Sequence, residues 1–165
     1  MEHGYEVSAP TTQWDITPYY MATTACDLFH VARGASDKVK HDWHKYFMYC
    51  VVIELGLKAV LLNNNNTKEQ KTENQKKIGH DLTILLNAAM DKLPTKFFND
   101  QEKKAVNKIS PLFRDKALEY LEIDMLVALL SGGRNIPPIA DLDKAAGKVA
   151  AHLEANKHFR ASQTT

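Results

Sequence analysis

Tyr46-Phe47-Met48-Tyr49-Cys50-Val51-Val52-Ile53-Glu54-Leu55-Gly56-Leu57-Lys58-Ala59-Val60-Leu61-Leu62 is the stretch that decides the fold. It is apolar around almost the whole circumference of a helix, a pattern that belongs in the middle of a bundle. The β-branched run Val51-Val52-Ile53 also suits a buried strand, and periodicity alone does not separate the two cases. Length decides for helix, because a strand usually stops after about 5–6 residues. A membrane span wants roughly 20 residues with few charges. Here Glu54 and Lys58 interrupt the segment at its middle, where charge is expensive in lipid. The expected element is a buried helix over about Asp42 to Leu62, with no membrane partner.

Upstream, Met1 to Ile16 lacks periodicity and reads as an N-terminal arm (1–16). Thr17-Pro18 looks like an N-cap followed by proline at the first helical position. Met21, Ala22, Ala25, Leu28, Phe29 and Ala32 then follow at helical spacing, with Gly34 as a stop. Downstream, Asn63 to Lys77 has no apolar residue, and a polar surface loop is expected over about 63–79. A third helix is expected from His80-Asp81 through Leu82, Leu85, Leu86, Ala89 and Met90, with Pro94 barring continuation. Asn99 to Ile109 reads as a helix opened by a capping-box variant, Asn99 with Glu102. Pro111 is expected to break or kink the chain before a further helical stretch from Leu112 to Leu130. Ser131-Gly132-Gly133 ends that stretch, Arg134 to Pro138 is a stiff connector, and a last helix runs from Asp141 to Lys157. Its apolar stripe is Leu142, Ala145, Ala146, Val149 and Leu153. These signals predict an all-α, antiparallel up-and-down bundle of five or six helices over 17–158, with a short tail at 159–165.

The chain has 165 residues, enough for one domain with a sizeable core. Twenty-one Lys and Arg against 20 Asp and Glu leave a net charge of +1, so no global field argues for nucleic acid or for a basic partner. Cys26 and Cys50 form no spaced framework, and Glu2, Glu6 and Asp15 occupy the region where an export signal would lie. The cytoplasm is the expected location, and no cofactor or metal is called for.

Three constellations carry possible chemistry. Glu54 and Lys58 are four apart, acid before base, as helical ion pairs prefer. Amid apolar neighbours they are either a structural pin or the mark of a groove, because burying unpaired charge is costly. In Gly79-His80-Asp81-Leu82, glycine before a helix start allows tight backbone geometry. The histidine is then a candidate acid, base or ligand, against a capping turn whose imidazole bonds to nearby backbone. Arg134, between Gly-Gly and Pro-Pro, suits carboxylate or phosphate recognition or is an ordinary loop arginine.

Glu54-x-x-x-Lys58-Ala59-x-Leu61 resembles the E-x-x-x-K-A-x-L signature of HEPN-like proteins. The polar loop, Gly79-His80-Asp81-Leu82 and Leu85-Leu86-x-x-Ala89 resemble that family's G-H-D-L segment. Arg134-Asn135-Ile136-Pro137 stands where many relatives carry an arginine-aromatic-x-proline stretch, without the aromatic. The resemblance spans about Pro18 to Leu153. It implies a helical bundle, a homodimer, and a setting in toxin–antitoxin, phage-defence or RNA-processing systems. Active ribonucleases of that superfamily use an R-x4–6-H motif, which this chain lacks: His41 lies too far beyond Arg33, and Arg114, Arg134 and Arg160 have no suitably spaced histidine.

The leading expectation is a noncatalytic module that binds a nucleotide, RNA or a protein partner through Glu54, Lys58, His80, Asp81 and Arg134. The alternative is a metal-independent ribonuclease in which His80 is the catalytic acid or base and Arg134 holds phosphate. A third reading is an HD-type metal-dependent phosphohydrolase built on His44, His80-Asp81 and Asp124, with His41-Asp42 as a second His-Asp pair.

Overall fold

The computed structural model describes residues 17–34, 43–63, 79–118 and 136–156. They form α1 (Pro18–Gly34), α2 (Trp43–Leu62), α3 (Leu82–Ala89), α4 (Asp100–Arg114) and α5 (Ile139–Ala155), with a 3₁₀ turn, Met90–Lys92, continuing α3. The architecture is an all-α bundle, with no strand among the described residues. The expected N-terminal arm, most of the polar loop, the stretch from 119 to 135 and the C-terminal tail lie outside them.

Local signals set most boundaries. Thr17 Oγ1 accepts the Tyr20 N–H at 3.2 Å, capping α1 just before its proline. Asn99 Oδ1 accepts from Glu102 N–H and Glu102 Oε2 accepts from Asn99 N–H, both at 2.8 Å, so both halves of the capping box are made. Glu102 does more than cap. It is only 2% exposed, and Lys148 Nζ of α5 reaches its Oε2 at 2.7 Å. At the far end of α2, which has no basic residue in its last turn, Lys92 Nζ donates to the Leu61 carbonyl at 3.1 Å.

Pro111 corrects one expectation. It neither breaks α4 nor separates two helices; α4 runs through it to Arg114. Proline removes one i→i−4 hydrogen bond. Here it stands in the last turn, so little helix remains beyond the loss. Leu112 therefore belongs to α4, and the chain turns through Leu118. The last helix also starts earlier than expected, at Ile139, with no side-chain cap at Pro138.

Contacts between helices give their directions. Cys26 lies by Ala150, Phe29 by Gly147 and Arg33 by Asp143, so α1 and α5 are antiparallel. Tyr46 bonds to Pro137, while Gly56 packs on Val149, so α2 and α5 run the same way. Phe47 meets Phe113 near the end of α4, and Glu102 near its start meets Lys148, so α4 opposes both. His80 meets Glu54 and Lys92 meets Leu61, so α3 runs with α2, the one departure from alternating directions among the described helices. Helix α2 touches all four others, and from Tyr49 onward it buries Cys50, Val52, Ile53, Leu57 and Ala59 through Leu62.

The α2–α5 contact depends on Gly56. A Cβ there would lie 2.1 Å from Val149 Cγ1, and a helical valine has little χ1 freedom to retreat. Gly56→Ala adds helix propensity of about 1 kcal/mol but overpacks the contact by about 1–3 kcal/mol. Urea unfolding is expected to show a net loss of stability in the wild-type background. On a Val149→Ala background the same change is expected to stabilise.

Candidate functional site

One stripe of α2 escapes full burial. Phe47, Val51, Leu55 and Lys58 are half-buried while the residues between them are largely sealed, and Glu54 sits at the edge of that stripe, 5% exposed. The stripe borders a cavity of about 280 Å³ lined by Phe47, Val51, Glu54, His80, Phe113 and Lys116. Helix α2 therefore supplies one wall, the turn before α3 supplies His80, the end of α4 supplies Phe113, and the turn after it supplies Lys116.

Glu54 organises the polar side of the cavity. Lys58 Nζ donates to Glu54 Oε1 at 2.5 Å, and His80 Nδ1 lies 2.9 Å from the same oxygen. The Glu54 and Lys58 side chains are 7% and 13% exposed, whereas that of His80 is 61% exposed. No buried polar side-chain atom among the described residues lacks a hydrogen-bond partner, and Glu54 itself lines the cavity. A neutral imidazole meeting a carboxylate through Nδ1 carries its proton there, which leaves Nε2 as an acceptor. Phe113 stands edge-on to the imidazole, ring centres 6.4 Å apart. One turn before Glu54, burial and then the Glu54 charge push the Cys50 thiol pKa well up.

The backbone before α3 makes this meeting possible. Gly79 has φ +54, a left-handed conformation that side chains disfavour, while the space around it is open. Asp81, next along, caps α3: its Oδ1 accepts from Thr83 N–H at 3.0 Å and Ile84 N–H at 3.1 Å. The same oxygen accepts from the Ser110 hydroxyl at 3.1 Å, and Arg114 Nη1 reaches Oδ2 at 3.2 Å. Burial opposes the Asp81 charge. The hydrogen bonds from Ile84, Ser110, Arg114 and Thr83 outweigh it and hold the carboxyl below its ordinary pKa. Asp81 thus ties the start of α3 to the end of α4, which fixes its neighbour His80 over Glu54.

Glu54 and Lys58 meet as their i, i+4 spacing suggested, and His80 joins them from the turn before α3. Asp81 is adjacent but turned to capping. Arg134 lies outside the described residues, as do His41, Asp42 and Asp124; His44 is exposed on the first turn of α2. Among the described residues no three His, Cys, Asp or Glu side chains are grouped to hold a metal ion. Nor is any of their helices long and apolar enough to cross a membrane. Phe47, Ser110, Phe113, Arg114 and Lys116 were not singled out by sequence as site residues. Arg114 looked isolated because no histidine follows it, yet its partner Asp81 lies 33 residues upstream. A smaller cavity of about 220 Å³ is lined by Gln101, Lys104, Ala105, Lys108, Pro137, Pro138 and Asp141.

No family model, curated protein or solved structure matches this chain in the corresponding comparisons.

Removing an N-cap side chain costs about 1–2 kcal/mol, so Asp81→Ala is expected to lose at least that much in urea unfolding near neutrality. The folded pKa of Asp81 lies below its ordinary 3.8. Its charge-dependent stabilisation is therefore complete above 3.8 and disappears as pH falls through the folded value. The gap between wild type and Asp81→Ala should narrow in acid; a gap constant to well below 3.8 contradicts the assignment.

Proposed function

We propose that this chain is a noncatalytic HEPN-like module that binds a single nucleotide, free or at the end of an RNA, in the cavity between α2, α3 and α4. The observation that carries the reading is the shared oxygen, Glu54 Oε1, contacted by both Lys58 and His80. It unites the E-x-x-x-K-A-x-L and G-H-D-L segments, distant in sequence, in one constellation, which supports treating them as a single functional unit.

The cavity's chemistry suits a nucleobase. A carboxylate oxygen accepts hydrogen bonds from base amino and imino groups. Phe47 and Phe113, with ring centres 6.1 Å apart and tilted by 51°, offer aromatic surface on which a base stacks. Pockets for small ligands are usually about 300–1,000 Å³, and about 280 Å³ lies just below that range. That size suits one nucleotide rather than an internal stretch of RNA or a protein segment. The homodimer and the toxin–antitoxin or defence setting belong to the same reading, and sedimentation analysis tests the first.

Isothermal titration calorimetry with the common ribonucleoside 5′-monophosphates tests the proposal. Wild type should bind at least one of them. A hydrogen bond to a charged group is worth about 1.5–3 kcal/mol, so Glu54→Gln, shown folded by circular dichroism, should weaken binding by about tenfold or more. Equal affinity in Glu54→Gln rejects this reading.

One observation favours a second reading, ribonuclease chemistry: an exposed imidazole oriented through Nδ1 by a buried carboxylate, the arrangement general bases use. Under it, His80→Ala should abolish cleavage of single-stranded RNA in the absence of metal. Cleavage at an undiminished rate would exclude His80 as the catalytic group.

A further inference from the structure

Two non-glycine residues among those described have a left-handed backbone, Lys96 (φ 59) and Lys116 (φ 56). Lys116 stands just past the end of α4, where its N–H donates to the Phe113 carbonyl at 3.1 Å and the Ala117 N–H donates to the Leu112 carbonyl at 2.9 Å. This pair of bonds is the Schellman helix ending, whose left-handed position usually holds glycine because a Cβ is disfavoured there. The backbone has little room to relax: Phe113 before it and Leu118 after it are 7% and 3% exposed. Lysine occupies the position nonetheless, and it lines the Glu54–His80 cavity. Lys96 has the same backbone conformation but is exposed in the turn after Pro94 and lines neither cavity.

Strained residues that the surrounding fold holds in place concentrate at functional sites. The cavity is also polar in a directed sense. Glu54, an acceptor already paired with Lys58, lines the cavity on the α2 side, and Lys116, a cationic residue type, lines it beyond the end of α4. A ligand fitting both has a donor-bearing edge at one end and an anion at the other. We infer that Lys116 is the phosphate-recognising residue of this cavity and makes it select a nucleoside monophosphate over the uncharged nucleoside. The inference rests on the nucleotide-binding reading and adds to it the ligand's charged group and the residue that meets it. An ammonium is a suitable point charge for a phosphate.

The test compares nucleoside 5′-monophosphates with their parent nucleosides by calorimetry, and melting temperature by scanning calorimetry, in wild type, Lys116→Gly and Lys96→Gly. Wild type should prefer the monophosphate by about tenfold or more, the effect of losing a charge-assisted hydrogen bond. Lys116→Gly should bring the two affinities together and raise Tm by about 2–4 °C. Lys96→Gly should raise Tm similarly and leave both affinities as they were. A monophosphate preference retained in Lys116→Gly, or absent from wild type that still binds nucleoside, overturns the inference while the cavity reading stands. A lower Tm in Lys116→Gly overturns the claim that lysine is held there against its backbone preference. Failure of wild type to bind either compound overturns both readings.

Discussion

The architecture depends on α2 having to be covered on nearly every side. A helix apolar all round is unstable unless other helices surround it, and α1, α3, α4 and α5 each pack against it. Two charges on that helix set the limit of the enclosure. Glu54 and Lys58 can be buried only with partners; they find one another, and His80 completes the set from the turn before α3. Cover is therefore incomplete along the Phe47–Val51–Lys58 stripe, and the cavity lies there. The structural pin and the groove, which looked like alternatives, are the same place.

His80 and Asp81 divide the work of one turn. The aspartate is spent on backbone N–H groups, Ser110 and Arg114, which binds the start of α3 to the end of α4. That leaves the imidazole to face Glu54 and Phe113 with most of its side chain in solvent. The left-handed Gly79 turns the chain so that neighbouring side chains reach different partners. The helix cap and the contact with Glu54 thus fall to adjacent residues.

What could be read from sequence follows from the range of the forces involved. Thr17, the Asn99–Glu102 box and the stripe from Leu142 to Leu153 act within a turn or two, and each stands where periodicity and capping placed it. The Glu54–Lys58 pair was legible for the same reason. Ser110 and Arg114 were not, because their partner Asp81 lies 29 and 33 residues away. Glu102 was readable as a cap but not as the buried partner of Lys148, 46 residues on. Pro111 misled because proline usually ends helices, and sequence does not show that the helix would stop of its own accord three residues later. Lys116 gave no signal at all: lysine is common on surfaces, and only the path of the backbone makes this one unusual.

The thiol of Cys50 has a use that follows from where it sits. It is fully buried, and burial together with the nearby Glu54 charge keeps it protonated and unreactive. A thiol reagent reaches it only when the middle of the bundle opens, so its labelling rate in native buffer is a clock for that opening. Because Cys50 lies one turn from Glu54, the clock is mounted beside the cavity. A molecule that settles there and holds the helices together announces itself by slowing it, whatever its chemical identity.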